Sequence, residues 1–245
     1  MDSHAANIKS ITVNDMPTTV PMSAQQQRME RAFELHRQGQ LDDAEALYQA
    51  VLENEPTQAD AINMLGAIAQ QRGDHDLALQ RYQRASALQP KIATYYFNQG
   101  NLLQNTQRIT DAIICYQKAL EVDPAMWTAR ENLAIAFAMS GDIVSAAEEL
   151  EKVVSDEPDR SSCRINLANV YQRAGDFKKA IEHYREAVRL EPDNIDYHCR
   201  MGRLQIQAGD ALDVITQMRE LLKLHSENKD VVSVYNDALA SLSLS

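Results

Sequence analysis

Three asparagines, Asn98, Asn132 and Asn166, stand 34 residues apart. A carboxamide carries donors and an acceptor together, so a regularly spaced row of them suits recognition of a peptide backbone rather than bond making. Arg173, Arg200 and Arg203 form a second group; a guanidinium forks onto a carboxylate through two parallel hydrogen bonds. Reactive candidates are thinner. His183, His198 and Cys199 make no recognised metal-ligand spacing. His198 and Cys199 are adjacent, so on a helix they point about 100° apart. Cys163 fits a packed position. Glu148, Glu149, Glu151, Asp156, Glu157 and Asp159 form the kind of carboxylate run that solvates a helix face and loop. There is no HExxH, CxxC, G-x-S-x-G, Walker-type glycine loop or dinucleotide fingerprint. The expectation is a protein without catalysis, metal or cofactor.

Bulk properties narrow the partners. The 245 residues carry a net charge of −11, against the clustered Lys and Arg that phosphate contacts require. Nucleic acid and anionic lipid are therefore disfavoured. Aromatics are 6% of the chain, with only 8 glycines and 7 prolines, which favours helices over a turn-rich β-sandwich. Cys115, Cys163 and Cys199 are an odd, widely spaced set, so a reducing compartment is expected. The opening MDSHAANIKSITVNDM lacks the apolar stretch of a signal peptide. No apolar run approaches the roughly 18 residues of a membrane span. A cytoplasmic location is the expectation.

The elements that position these side chains are set by a repeat. Pro56, Pro90, Pro124, Pro158 and Pro192 follow one another at 34-residue intervals. Proline cannot continue a helix and disfavours α geometry in the residue before it, so each marks a boundary between helices. With each proline placed at position 32 of a 34-residue unit, all 8 glycines fall in two columns. Gly66, Gly100 and Gly202 share position 8 with Ala32, Ala134 and Ala168, where small size lets helices approach. Gly39, Gly73, Gly141, Gly175 and Gly209 share position 15, where a helix ends in a left-handed turn. Position 20 is Ala44, Ala78, Ala112, Ala146, Ala180 and Val214. Position 24 is Tyr48, Tyr82, Tyr116, Leu150, Tyr184 and Met218; position 27 is Val51, Ala85, Ala119, Val153, Ala187 and Leu221. These three columns share one helical face.

This pattern resembles the tetratricopeptide repeat. Leu65, Leu133 and Leu167 at position 7, and Phe137 and Tyr171 at position 11, add to the likeness. The resemblance implies an all-α, right-handed superhelical solenoid. Six repeats are expected at about 25–58, 59–92, 93–126, 127–160, 161–194 and 195–226, spanning 23–226 together. A disordered tail is expected over 1–22 and a capping helix over 227–243, with Val231, Val234, Tyr235, Ala238 and Leu242 on its apolar face. Departures are visible. Position 4, a tryptophan in the family, is Arg28, Arg130, Arg164 and His198 in four repeats; the arginine stems are expected to pack while their heads reach water. Gln107 replaces a position-15 glycine, which predicts a strained or altered turn.

The resemblance also implies that first helices line a concave groove, mainly through positions 2, 5, 6, 9, 12 and 13. Asn98, Asn132 and Asn166 then form a row at position 6, supported by Asn101 and Asn169 at position 9. The row resembles the asparagine ladder in the repeat arm of O-linked N-acetylglucosamine transferases. The competing reading is local bonding or solubility. Arg173, Arg200 and Arg203, with Arg160 nearby, are expected to converge on an acidic side chain or terminal carboxylate; the alternative is pairing with Asp196, Glu191 or Glu157. Phe97, Ile135, Met139 and Ile165 form either an apolar floor or ordinary interhelix packing. No groove lysine is present, which disfavours the carboxylate clamp of heat-shock co-chaperones. Three functions follow: a scaffold that binds a protein or peptide, an accessory arm that presents substrates to a glycosyltransferase, or a self-assembling structural protein.

Overall fold

The computed structural model describes residues 22–243; the tail expected over 1–22 lies, Met22 apart, outside them. The described residues form helices joined by short turns, with no strand. In chain order these are α1 (Ala24–Arg37), α2 (Leu41–Asn54), α3 (Ala59–Gln71), α4 (His75–Leu88), α5 (Ala93–Asn105), α6 (Ile109–Val122) and α7 (Trp127–Ser140). They continue with α8 (Ile143–Asp156), α9 (Ser161–Ala174), α10 (Phe177–Leu190), α11 (Ile195–Gln207), α12 (Ala211–Leu224) and α13 (Lys229–Ser243). Each helix packs on its chain neighbours, as a solenoid requires. Odd-numbered helices α3, α5, α7 and α9 also touch in succession, which the even-numbered ones do not do to a comparable extent. The odd helices therefore lie on the tighter, inner curve.

The sequence dictates where helices stop. Gly39, Gly73, Gly141, Gly175 and Gly209 all have φ between +77° and +94°. Gly73 donates its N–H to the Gln70 carbonyl and Asp74 donates to Ala69, the paired bonds of a Schellman turn. The Asp74 carboxylate then accepts from the Leu77 N–H and caps the next helix; Asp142 and Asp176 do the same for Ser145 and Lys179. Gln107 keeps this geometry rather than altering it. Its N–H donates to Gln104, Arg108 donates to Leu103, and its φ is +62°. The turn is thus retained with the backbone strain that a side chain brings to the left-handed region.

Packing is built on small residues facing large ones. The Tyr116 side chain is fully buried and lies against Gly100; a Cβ on Gly100 would sit 2.5 Å from its ring. Gly66 meets Tyr82 in the same way at 2.8 Å. Ala134 and Ala168 fill the equivalent small position, and with Ala180 they join one continuous core with Leu150, Tyr184, Met201 and Leu204. At the C-terminal end Val231, Val234 and Ala238 of α13 are buried against Val214, Ile215 and Met218 of α12 and Cys199 of α11. Tyr235 of the predicted apolar face is only half-buried.

Position 4 differs from expectation. The Arg130 head does not reach free water: it donates to the Pro124 carbonyl at 2.9 Å and pairs with Glu149 at 2.9 Å. Arg164 donates to the Pro158 carbonyl, and His198 Nε2 bonds that of Pro192 at 2.8 Å. At three of the four polar position-4 residues the head thus satisfies the carbonyl of the preceding boundary proline, which no helix supplies with a partner, whereas Arg28 is exposed as expected.

Two measurements follow. Gly100→Ala gains about 1 kcal/mol of helix propensity, but overpacking against a fixed buried ring costs about 1–3 kcal/mol. Net destabilisation in urea unfolding is expected. Gln107→Gly relieves about 1–2 kcal/mol of left-handed strain and returns about 0.4–1 kcal/mol through the freer unfolded chain, so a small stabilisation is expected. The opposite signs for both variants would contradict this packing. Burial also pushes Tyr82 up to about 12 from the ordinary 10.0, and raises Tyr48, Tyr95, Tyr116, Tyr171 and Tyr184. Above pH about 10 the unfolded chain loses tyrosine protons that the folded chain keeps. Stability is therefore complete below that pH and falls as pH rises toward 12. Urea midpoints unchanged across that alkaline window would refute the assignment.

Candidate functional site

The odd helices present the amide row on the inner curve, and the structure supplies each amide with a partner. Asn98 Nδ2 donates to Asn63 Oδ1 at 3.0 Å, bridging α5 to α3. Asn132 Nδ2 donates to Asn101 Oδ1 at 2.8 Å, bridging α7 to α5. Asn166 Nδ2 donates to Glu131 Oε1 at 2.6 Å, bridging α9 to α7. All three amides are half-buried. One N–H of each is spent on the preceding odd helix, so the row stitches neighbours together while its remaining groups line the surface.

The row is held from beneath. The Tyr116 hydroxyl, with one proton to donate, lies 2.9 Å from Asn101 Oδ1 and 3.0 Å from Gln104 Oε1 and shares it between these acceptors. The Tyr184 hydroxyl donates to Asn169 Oδ1 at 2.5 Å. Burial, the first cause, holds both phenols protonated well above neutral pH. The core tyrosines therefore act twice, with the ring against a small residue and the hydroxyl under an inner-face amide. Sequence reasoning missed these props. Their signal was present in Gln70 and Gln104, which lie 34 residues apart at position 12; Gln70 accepts from Tyr82 at 2.9 Å.

Three of the four arginines have internal partners. Arg200 Nε donates to Asp196 at 2.6 Å and Arg203 to Asp230 on α13 at 3.2 Å, both pairs largely exposed. Pairs of this kind contribute about 0–1 kcal/mol. Arg160 instead stacks on Trp127, its guanidinium carbon 3.3 Å from the ring centroid. Arg173 alone of the four makes no ion pair or ring contact among the described residues. It lines a cavity of about 170 Å³ with Asn166, Asn169, Ile135, Ala138, Met139 and Val170. The apolar expectation divides accordingly. Ile135 and Met139 face this cavity, whereas Phe97 packs on Tyr116 with ring centroids 6.1 Å apart and Ile165 is buried.

No group of three or more His, Cys, Asp or Glu among the described residues is placed to hold a metal. Burial pushes the Cys163 thiol up to about 11 and raises Cys199, so both are poor thiolates. His183 stacks parallel on Tyr171 at 5.6 Å, and burial lowers its basicity. No helix is long and apolar enough to cross a membrane among the described residues.

Comparison with known proteins agrees with this architecture. Tetratricopeptide-repeat models match residues 29–93, 97–162 and 162–194. The small glutamine-rich tetratricopeptide repeat-containing protein 2 of Mycosarcoma maydis is 31% identical over 87 residues, 36% of this chain and 25% of that protein. The probable UDP-N-acetylglucosamine–peptide N-acetylglucosaminyltransferase SPINDLY of Solanum lycopersicum is 31% identical over 93 residues, 38% of this chain and 10% of that one. The chain thus spans a quarter or less of these relatives. Among solved structures, PilW, a type IV pilus biogenesis factor, superposes with TM-score 0.71 at 19% identity, covering 87% of this chain and 99% of that one. YrrB, described as a TPR protein with an unusual peptide-binding site, superposes with TM-score 0.60 at 20% identity over 74% of this chain and 90% of its own. At such identities these neighbours show the fold alone.

The props can be tested. Tyr116→Phe keeps the ring and removes one hydroxyl beneath two acceptors, with an expected cost of about 0.5–1.5 kcal/mol. Asn132→Ala leaves Asn101 still bonded to Tyr116, so a smaller loss is expected. Chemical denaturation that finds Asn132→Ala the costlier change would contradict the order of support drawn here.

Proposed function

Because more than half of this chain matches tetratricopeptide-repeat models, it belongs to that family, and we propose that it is a non-catalytic scaffold holding an extended peptide or partner-protein segment along its inner face. In this reading six repeats over residues 23–226 form the groove and the helix within 227–243 closes its end. The observation that carries the reading is the cavity where Asn166, Asn169 and Arg173 meet Ile135 and Met139. Its volume is below the roughly 300–1,000 Å³ of small-molecule sites. It suits one side chain of a longer ligand. The half-buried amides alongside offer donors and acceptors to a peptide backbone whatever its side chains. Arg173, without an ion pair among the described residues, favours a ligand with a carboxylate next to the apolar side chain.

Affinity follows from the cost of ordering an extended chain. Each added hydrogen bond contributes about 0.5–1.5 kcal/mol, while each immobilised side chain costs about 0.5–1.5 kcal/mol. Weak, sequence-tolerant binding is the outcome, sharpened at the Arg173 cavity. A second reading, an accessory arm presenting substrates to a separate glycosyltransferase, is favoured by the likeness to SPINDLY over 93 residues. Binding of acceptor peptides without that enzyme is common to both readings, and a stable complex with the enzyme would favour the second.

Peptides selected from a random displayed library and measured by fluorescence anisotropy give the test. Acid-containing binders are expected to weaken about tenfold, or 1.4 kcal/mol, on Arg173→Ala. The Asn98/Asn132/Asn166 triple alanine variant is expected to weaken all binders, acidic or not. Unchanged affinity for every selected peptide in both variants would overturn the inner-face reading.

A further inference from the structure

A second cavity lies away from the inner amide row. It is a crevice of about 560 Å³ between α6 and α8, floored by Leu120 of α6 and by Leu133 and Phe137 of α7. Arg130, at position 4, lines it and turns aside to the Pro124 carbonyl and Glu149. That pair is mostly buried and internally satisfied, with Arg130 18% and Glu149 16% exposed. Lys152 adds a further contact to Glu149. The base of the crevice is therefore electrostatically closed.

Its rim is not. Glu121 on α6 and Glu148 on α8 both line the opening, exposed and without an ion pair among the described residues. On the same helical faces, Ile114 lies seven residues before Glu121 and Val144 four before Glu148. These side chains are 47% and 70% exposed. The surface thus alternates apolar and acidic groups along two neighbouring helices, beyond the length a small molecule covers.

We propose that this even-helix crevice is a second docking site, and that its occupant is an amphipathic helical segment of a partner protein. That segment carries apolar anchors for the Leu120–Phe137 floor and for Ile114 and Val144. It carries lysine or arginine for Glu121 and Glu148. Charge complementarity selects the occupant: two carboxylates without internal partners accept cations and repel acidic segments. Two helices with an apolar seam between them accept a third helix by its i, i+3, i+4 anchors. The site is independent of the inner face, so one chain could hold an acidic extended ligand and a basic helical one together.

Fluorescein-labelled amphipathic peptides of leucine and lysine are the probe, with a glutamate-for-lysine and a glutamine-for-leucine version as comparisons. The leucine–lysine peptide is expected to bind and to weaken about tenfold on Glu121→Gln/Glu148→Gln. A control, Asp213→Asn/Glu227→Gln, removes the same charge elsewhere and is expected to change affinity less than twofold. Arg173→Ala is expected to leave binding unchanged. Equal losses in the two charge-removing variants would reduce the effect to the general field of an acidic chain and overturn the proposal. So would equally tight binding of the glutamine-for-leucine peptide, or a loss confined to Arg173→Ala. Melting curves of each variant separate loss of binding from loss of fold.

Discussion

The structure depends on one contact repeated along the chain: a small residue on an odd helix against a large buried side chain on the even helix that follows. At Gly66 and Gly100 no Cβ fits between helix and ring. A helix interior normally penalises glycine by about 1 kcal/mol, so its presence twice shows that ring approach outweighs propensity. Close approach buries the ring completely, as at Tyr116. An aromatic side chain that buries about 150–250 Å² is the dominant contribution a short helix pair has available. The remaining features of the fold follow from keeping that contact in register every 34 residues.

The same tyrosines connect packing to the inner surface. A buried hydroxyl must find a partner or bear a desolvation cost of about 1–3 kcal/mol, and Tyr116 and Tyr184 find it in the side chains of Asn101 and Asn169. Those amides are thereby fixed in orientation, and Asn101 in turn receives Asn132. Binding groups that are already ordered lose less freedom when a ligand arrives. Tyr48 marks the limit of the device. Its hydroxyl is buried without a hydrogen-bond partner among the described residues, beside Phe33 and His36, where no asparagine or glutamine occupies the propping positions.

Spacing made the fold legible in the sequence, because proline, glycine and alanine columns report backbone needs that do not vary between repeats. The site was legible only in part. Residue types and columns were visible for Asn98, Asn132 and Asn166, but their partners are not in one column: Asn63 and Glu131 sit at position 5, whereas Asn101 sits at position 9. A hydrogen bond between repeats is chosen by whichever acceptor a neighbour offers, and periodicity does not encode it. The arginines show the same limit. Their expected convergence rested on columns, yet Asp196, Asp230 and Trp127 capture three of four. Position 4 was misjudged because the proline carbonyl it serves is a backbone acceptor, invisible in any column.

A solenoid distributes function differently from a compact domain. Each helix pair contacts only its neighbours, so a departure in one repeat alters one stretch of surface and leaves the rest intact. Arg130 at position 4 illustrates this. It forms a partly buried ion pair with Glu149, which Lys152 also contacts. The pair lines the crevice on the even-helix side, while the odd-helix side keeps its Asn132–Asn101 bridge. Conservation of the core contact and freedom at the surfaces are therefore the same property. The chain's own departures set that surface chemistry, and several fall between α7 and α9: the Arg173 cavity, the Arg130–Glu149 pair and the Arg160–Trp127 stack.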